Sequence, residues 1–233
     1  MRIVLNHLTR MRAPRICIAG IEPATGRHIR PITGRDRPLT RDHLGEGGGT
    51  FRLGAAIELG GVTAAPAAPE TEDHWFTPAR ARLQRVLGAD EYLELVDSHC
   101  GENLEEVFGP ALERREWRYA VDAGSGESSL GCLRVRRRPD IEISSYGRVQ
   151  LRLNDPIRPA FAPVTDLRLF ESDHETPLED AIEDLRRRMG RGVQARLMVG
   201  LARAFVASGD NSERHWLQVN GICMEDRPLG DLP

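Results

Sequence analysis

Runs of apolar and β-branched residues, separated by short polar turns, dominate the first third of the chain. Two such runs, residues 2–8 and 15–21, flank a basic turn around Pro14, and further runs cover 27–32 and 55–62. Short runs of this kind between Gly and Pro clusters are typical of β-strands. The pattern therefore predicts a meander of three strands, followed by at least one more strand.

The spacing of apolar residues changes to a helical one in the middle of the chain. Thr77-Pro78 suits a helix start, because Thr can cap the helix and Pro fits its first position. Helical spacing with many charges then covers 79–87, 89–96 and 102–108. These features predict an acidic helical segment over 77–117.

The second half of the chain returns to a β pattern. Its only strong helix is predicted over 177–189, where acids occupy the first turn and arginines the last, as the helix dipole favours. The hairpin-like turn 208–211 separates the last two predicted strands. The predicted strands are 119–121, 130–136, 141–144, 149–153, 165–170, 195–206 and 215–222.

We expect a mainly β fold of the α+β type, in which two small β-barrels are joined by the acidic helical segment. The predicted boundaries are 1–76 for the N-terminal β domain, 77–117 for the helical linker and 118–233 for the C-terminal β domain. The strand number alone also allows an SH3-like barrel or one continuous sandwich.

Charge is segregated along the chain, although the net charge is only −3. All 32 basic residues are arginines, a bias that a GC-rich genome also produces. Residues 1–43 contain nine arginines and three acids, whereas 44–117 contain six and 14. Residues 118–170 are basic again, and 171–233 are acidic. Such asymmetry suggests a cationic surface on the β-rich parts.

Strand alternation indicates which arginines could form that surface. In 148–153 the apolar residues share one face and the polar residues the other, and Trp216 shares a face with an amide. Solvated strand faces, and a Trp216 that packs in the core, are the structural alternatives. The residues that we expect to bind nucleic acid are Arg10, Arg12, Arg30, Arg37, Arg134, Arg136, Arg148, Arg152, Arg203, Trp216 and Gln218.

The sequence contains no recognisable catalytic or cofactor motif. Its four cysteines form no CxxC pair, and no phosphate loop, dinucleotide fingerprint or HExxH motif is present. The acidic string 69–75 contains His74, but we expect a solvent loop there. We therefore expect no metal and no cofactor, and because neither a signal peptide nor a membrane span is recognisable, a cytoplasmic protein.

Several strings resemble a known family, the prokaryotic dual OB-containing domain proteins. They are the Thr-Arg turn in 8–11, the Cys-x-Ala-Gly strand in 17–21, the Thr-Gly turn and Ile-Arg-Pro strand in 25–31, and the Leu-Gln-Val-Asn strand in 215–222. The resemblance implies two oligonucleotide-binding (OB) type barrels. It also implies a role connected with nucleic acid, as an accessory module in a prokaryotic defence or mobile-element system.

Three functional hypotheses follow. The first is a non-catalytic protein that binds single-stranded DNA or RNA through its arginines. The second is an adaptor whose helices in 77–117 dock a protein partner without nucleic acid. The third is an enzyme of unknown class, which a pocket combining His28 or His74 with carboxylates would favour.

Overall fold

The computed structural model describes residues 1–34, 36–135, 138–153 and 159–230, without the side chain of Glu46. The α-helices are α1 (Ala89–Ser98), α2 (Leu104–Phe108) and α3 (Glu179–Gly190). The first nine strands are β1 (Arg2–Arg10), β2 (Ile16–Ile21), β3 (His28–Ile32), β4 (Ala55–Glu58), β5 (Thr63–Ala64), β6 (Asp73–Trp75), β7 (Arg82–Val86), β8 (Cys100–Gly101) and β9 (Glu113–Arg115). The others are β10 (Arg118–Asp122), β11 (Leu130–Arg134), β12 (Asp140–Ile143), β13 (Val149–Leu153), β14 (Ala160–Pro163), β15 (Ala195–Leu201), β16 (Phe205–Val206) and β17 (Glu213–Met224).

The first sheet contains the predicted meander, and its strand order is β5-β6-β3-β2-β1-β4-β7. Strands β1, β2 and β3 pair antiparallel, whereas β6 joins β3 in parallel. One face of the meander buries a core that includes Ile3, Leu5, Leu8 and Ile18. The pairing of β1 with β2 shifts register between Leu5 and His7, so that Leu5 and Leu8 both reach this core.

The second half of the chain forms another curled sheet and a small three-stranded one. The curled sheet has the order β8-β11-β15-β17-β10-β9, with β16 paired to β17. Strands β12, β13 and β14 form the small sheet. Helix α3 contributes Ile182 to a core that also contains Leu151, Leu197 and Val219. The protein is therefore mainly β, with two curled sheets, as predicted.

The solvent loop expected at 69–75 is wrong, because residues 73–75 form strand β6 and Glu70, Glu72, Asp73 and His74 are buried. Two predictions of helix or strand are also wrong. Residues 79–87, predicted as helix, instead form a 3-10 turn and strand β7, which pairs with the free side of β4. Residues 165–170, predicted as a strand, contain a 3-10 turn at 167–169 that begins where the Asp166 side chain accepts the Arg168 amide. In both places a tertiary contact or a cap overrides the local pattern.

The segment 77–117 is divided between the two curled sheets. Strand β7 extends the first sheet to Val86, whereas β8 and β9 pair with strands of the second. Helix α1, which agrees with the predicted helix 89–96, contributes Tyr92 and Val96 to a cluster between the halves. The division at residues 76 and 117 stays a prediction.

The two halves pack directly against each other. Val4 and Ile21 of the first sheet share an apolar cluster with Cys132 and Met198 of the second. The Arg10 amide also donates to the Thr165 carbonyl over 2.8 Å. Among the described residues, no helix is long and apolar enough to cross a membrane.

Asp166 stabilises the second half through a buried ion pair, in which it is 2 % exposed and Arg168 11 %. Its Oδ2 accepts from Arg168 Nη2 over 2.6 Å and from the Ile222 amide over 2.9 Å. We expect Asp166→Ala to lower the free energy of unfolding by about 3–5 kcal/mol, because it leaves a buried arginine without its carboxylate. Urea unfolding measures this change.

The control for this prediction is Asp36→Ala. Asp36 and Arg37 form an ion pair in which both side chains are 83 % exposed, and exposed pairs contribute little to stability. The control should unfold like the wild-type protein. Equal stability of the Asp166→Ala variant would show that the buried pair does not stabilise the fold.

Candidate nucleic-acid interface

A groove of about 660 Å³ lies on the face of β1, β2 and β3 that is opposite the first core. Because side chains alternate along a strand, Thr9, Cys17 and Arg30 point to this face while their neighbours point to the core. Strand β17 and the residues after β15 complete the groove from the second half. We call it the arginine groove, because Arg10, Arg12, Arg15, Arg30 and Arg203 all line it.

The rim of the groove contains the turn between β1 and β2. Arg12 and Arg15 are exposed there, and the backbone of the turn closes with a bond from the Arg15 amide to the Arg12 carbonyl over 3.1 Å. In the described part of the chain, neither side chain forms an ion pair. These two guanidinium groups are therefore available to an anionic ligand.

Arg10 is held more firmly than its neighbours on the rim. Its guanidinium lies 4.0 Å from the centre of the Phe170 ring and donates to the His174 carbonyl over 2.5 Å. Burial lowers the pKa of Arg10, and the nearby Arg148 lowers it further while Glu175 raises it. The side chain is thus fixed at the groove without a direct carboxylate partner.

Two arginines at the floor share one carboxylate. Arg30 Nε donates to Asp73 Oδ1 over 2.5 Å, and Arg203 Nη2 donates to Asp73 Oδ2 over 2.6 Å. Arg203 also lies 3.1 Å from Glu70. Two acids therefore balance the two cations of the floor, whereas the rim remains positive.

His7 is a neutral group beneath this floor. Its side chain is buried, and neither ring nitrogen has a hydrogen-bond partner among the described residues. Burial, and then the neighbouring His28 and Arg30, hold the pKa of His7 well below its usual value. His7 therefore adds no charge near neutral pH.

The groove also offers an aromatic ring and two amides. Trp75 is 48 % exposed, and it is paired with Ile32 in the parallel register of β3 and β6. Gln218 and Asn220 of β17 also line the groove, and Asn220 Oδ1 accepts from the Thr165 hydroxyl over 3.1 Å. Rings and amides of this kind can stack on bases and bind their edges.

The structure brings together five of the eleven residues predicted to bind nucleic acid. Arg148 is exposed and close enough to Arg10 to affect its pKa, but it does not line the groove. The five that do are Arg10, Arg12, Arg30, Arg203 and Gln218.

Other predicted residues lie elsewhere. Arg37 is exposed beside Asp36, Arg134 is paired with Asp97 over 3.5 Å, and Arg152 is exposed on β13 opposite Asp140. Arg134 and Arg152 do not share one sheet face, because their strands, β11 and β13, belong to different sheets. Arg136 lies outside the described residues.

The prediction of Trp216 as a stacking platform is also corrected. Its side chain is only 5 % exposed and packs with Ala120 and Ala207. The Arg118 guanidinium covers its ring at 4.3 Å from the centre. A base could not reach this ring.

Sequence reasoning missed three groove residues, Arg15, Trp75 and Asn220. Trp75 ends an acidic string that was interpreted as a solvent loop, and a short parallel pairing with a distant strand places it on the groove. The signal for Asn220 was its alternation with Gln218, because i and i+2 share a face of a strand. Arg15 adjoins the basic turn that already contained Arg12.

A second cavity of about 300 Å³ brings His28 close to Glu72 and Glu106, as the enzyme hypothesis requires. Both carboxylates are already occupied. Glu72 accepts from the Ser129 amide over 2.7 Å and from its hydroxyl over 3.0 Å, and Glu106 accepts from the Glu102 amide over 2.8 Å. Glu127 also lines the cavity, but burial lowers the pKa of His28 to about 4, so its ring is uncharged near neutral pH and is a poor proton donor to that carboxylate.

The residues near the same cavity give little support for a metal site or for a reactive thiol. A hydrogen bond with Cys100, and then burial, raise the pKa of Cys132 well above its usual value, so that this thiol is not a ready nucleophile. Among the described residues, no group of three His, Cys, Asp or Glu side chains could hold a metal ion. The arginine groove remains the better candidate site.

Comparison with known proteins adds one match. The model of a family described as the dual OB-containing domain matches residues 1–222. No curated protein and no solved structure matches the chain.

The lowered pKa of His28 predicts how the free energy of unfolding depends on pH. Burial lowers the pKa of His28 to about 4, whereas an unfolded chain has a value of about 6.5. As the pH falls below about 6.5, the unfolded state therefore binds a proton that the folded state does not, and stability decreases. Between about pH 7 and about pH 5, His28 should account for a loss of about 2 kcal/mol.

Urea unfolding of the wild-type protein and of His28→Gln at both pH values tests this prediction. Glutamine cannot take up the proton, so the variant should lose less stability than the wild type on acidification. Parallel losses in the two proteins would mean that His28 does not contribute to the pH dependence.

Proposed function

We propose, starting from the fact that this chain belongs to the dual OB-containing domain family, that it binds single-stranded nucleic acid along the arginine groove. The observation that carries the proposal is the lining of that groove. Five arginines, one exposed tryptophan and two amides meet there, and no Asp or Glu side chain is among the described lining residues.

The rim suits the phosphates of a strand. Arg12 and Arg15 present guanidinium groups that can each form paired hydrogen bonds with phosphate oxygens. Arg10, which is held against Phe170 and the His174 carbonyl, adds a fixed positive charge. The exposed turn allows Arg12 and Arg15 to adjust to successive phosphates. Binding of this kind releases counterions, so its affinity decreases as salt is added.

The ring of Trp75 favours a single strand over a duplex. Its 48 % exposure leaves a ring surface open at the groove, and a base can stack there only when its own faces are not covered by neighbouring base pairs. Stacking on an aromatic side chain tolerates every base and is common in single-strand binding. A duplex would offer the groove only its phosphates.

The residues that line the arginine groove suit the binding of a strand rather than its cleavage. The family resemblance extends the proposal to an accessory, non-catalytic module in a prokaryotic defence or mobile-element system. Such a role requires a compartment that contains nucleic acid, and the cytoplasm is the one that we propose. The groove residues do not distinguish DNA from RNA, so both are tested below.

A protein-interaction adaptor is the second candidate function. Strand β7 is the open edge of the first sheet and is exposed throughout, and its Leu83 and Val86 are 40 % and 36 % exposed. An open edge of this kind can accept a strand from another protein. Helix α1, with Asp90 and Glu91 in its first turn, lies directly after this edge. A protein partner that remains bound after nuclease treatment would favour this function.

Fluorescence anisotropy with labelled oligonucleotides of about 16 nucleotides tests the first proposal, because OB domains contact about 4–16 nucleotides. Single-stranded DNA, single-stranded RNA and duplex DNA are titrated at about 50 and 200 mM salt. If three rim arginines each neutralise one phosphate, the affinity for a single strand should fall about 20-fold between these salt concentrations. The duplex should bind more weakly.

Two single variants separate the groove from the remaining surface. Arg12→Ala removes one rim cation, so the affinity should fall and the slope of log K against log salt should become shallower by about 0.7. Arg152→Ala removes an exposed arginine outside the groove and should bind like the wild type. Absence of single-strand binding at low salt, or equal losses in both variants, would contradict the proposal.

A further inference from the structure

We infer that Trp75 and Arg30 form a subsite for one guanine base of the bound strand. The inference rests on the proposed function and specifies which base the groove selects. It starts from the pairing of β3 with β6, which places an aromatic ring and a guanidinium on adjacent strands of one sheet.

The register of these strands determines the distance between the two groups. Arg30 is paired with Asp73 and Ile32 with Trp75, so Arg30 and Trp75 are separated by one two-residue repeat on the same side of the sheet. Such a repeat spans about 6.6 Å along a strand, and adjacent strands lie about 4.8 Å apart, so the two Cα atoms are about 8 Å apart, a distance that one base can bridge. A base stacked on the Trp75 ring would therefore direct its edge towards Arg30.

Arg30 is held ready for a ligand edge. Its Nε donates to Asp73 Oδ1 over 2.5 Å, which fixes the plane of the guanidinium. Its Nη2 has no hydrogen-bond partner among the described residues, although the side chain is only 7 % exposed. An unpartnered buried donor is unfavourable without a ligand, and a hydrogen-bonding ligand would relieve that penalty.

The charge around Arg30 favours a base over a phosphate. Asp73 is 4 % exposed and lies against both Arg30 and Arg203, and Glu70 lies against Arg203. Two carboxylates thus balance the two guanidinium groups, and a phosphate here would meet negative charge beside each cation. A neutral base edge avoids that repulsion.

Guanine is the base whose edge fits a guanidinium. Its O6 and N7 are adjacent acceptors, and an arginine can donate to both at once. Adenine presents the N6 amino donor beside N7, so it would place a donor against the donors of Arg30. Thymine has no adjacent pair of acceptors. Cytosine has one in O2 and N3, but paired donation from an arginine to a base is commonest with guanine.

The test compares four labelled single-stranded DNAs of about 16 nucleotides. One contains only thymine, and the others carry a single central guanine, adenine or 7-deazaguanine. The guanine strand should bind about tenfold more tightly than the adenine strand. The 7-deazaguanine strand, which lacks the N7 acceptor, should lose most of this advantage.

Three variants identify the residues that are responsible. Arg30→Lys retains the charge beside Asp73 but not the paired donors, so the ratio of the guanine-strand affinity to the adenine-strand affinity should fall to about one. Arg12→Ala is the matched control, and it should weaken all four strands by the same factor. Trp75→Leu should weaken every strand about tenfold, because stacking accepts any base.

The outcomes separate this inference from the function on which it rests. Salt-sensitive binding with equal affinities for the guanine and adenine strands would overturn the guanine subsite and leave the proposed function intact. A guanine preference that survives in Arg30→Lys would overturn the role of Arg30. Failure of all four strands to bind at low salt would overturn the proposed function itself.

Discussion

The carboxylate of Asp73 is the interaction on which the candidate site depends. It belongs to the first sheet, and it accepts from Arg30 of the same sheet and from Arg203 of the second half. Removing this carboxylate would be unfavourable, because two cations would then repel each other. The intact group nevertheless adds little net stability, because the desolvation of its charges offsets their attraction. Its main effect is to fix the positions of the two arginines. It holds both halves of the chain at one groove and orients the guanidinium of Arg30.

The groove itself is a consequence of strand alternation. The face of the meander that holds Ile3, Leu5 and Ile18 had to be apolar to make a core, so the other face was free to carry His7, Thr9 and Arg30. The register shift after Leu5 lets His7 and Thr9 share this face while Leu8 stays in the core. A strand without the shift would have placed either Leu5 or Leu8 on the wrong side.

Those parts of the fold that depend on local sequence patterns could be predicted from the sequence. The meander, helix α3 and the long last strand follow from alternation, turn residues and helix-dipole charges. Strand β7 could not be predicted from its own residues, since it forms by pairing with β4 and none of its five residues is buried. Likewise, the sheet order could not be predicted, and Arg134 and Arg152, which were both expected to bind nucleic acid, lie on strands of two different sheets.

The candidate site was predictable only in part, for a related reason. The basic turn and the Ile-Arg-Pro strand identified Arg10, Arg12 and Arg30, which local alternation places on one surface. Trp75 depends on a parallel pairing between residues more than 40 positions apart, and no local signal reports such a contact. The two exposed tryptophans, Trp75 and Trp117, cannot be distinguished from the buried Trp216 by composition. Only the packing of Trp216 with Ala120 shows which ring is inaccessible.

The surplus of acidic residues explains why the groove, rather than another arginine cluster, remains cationic. Asp97 of α1 accepts from both Nε and Nη2 of Arg196 and lies 3.5 Å from Arg134. The acidic middle segment thus neutralises Arg196 and also Arg134, which sequence reasoning had assigned to a binding surface. Arg12 and Arg15, at the tip of the first hairpin, escape this neutralisation. Because salt screens exposed charges beyond about 10 Å, a strand at the groove would respond to these nearby cations and very little to the net charge of −3.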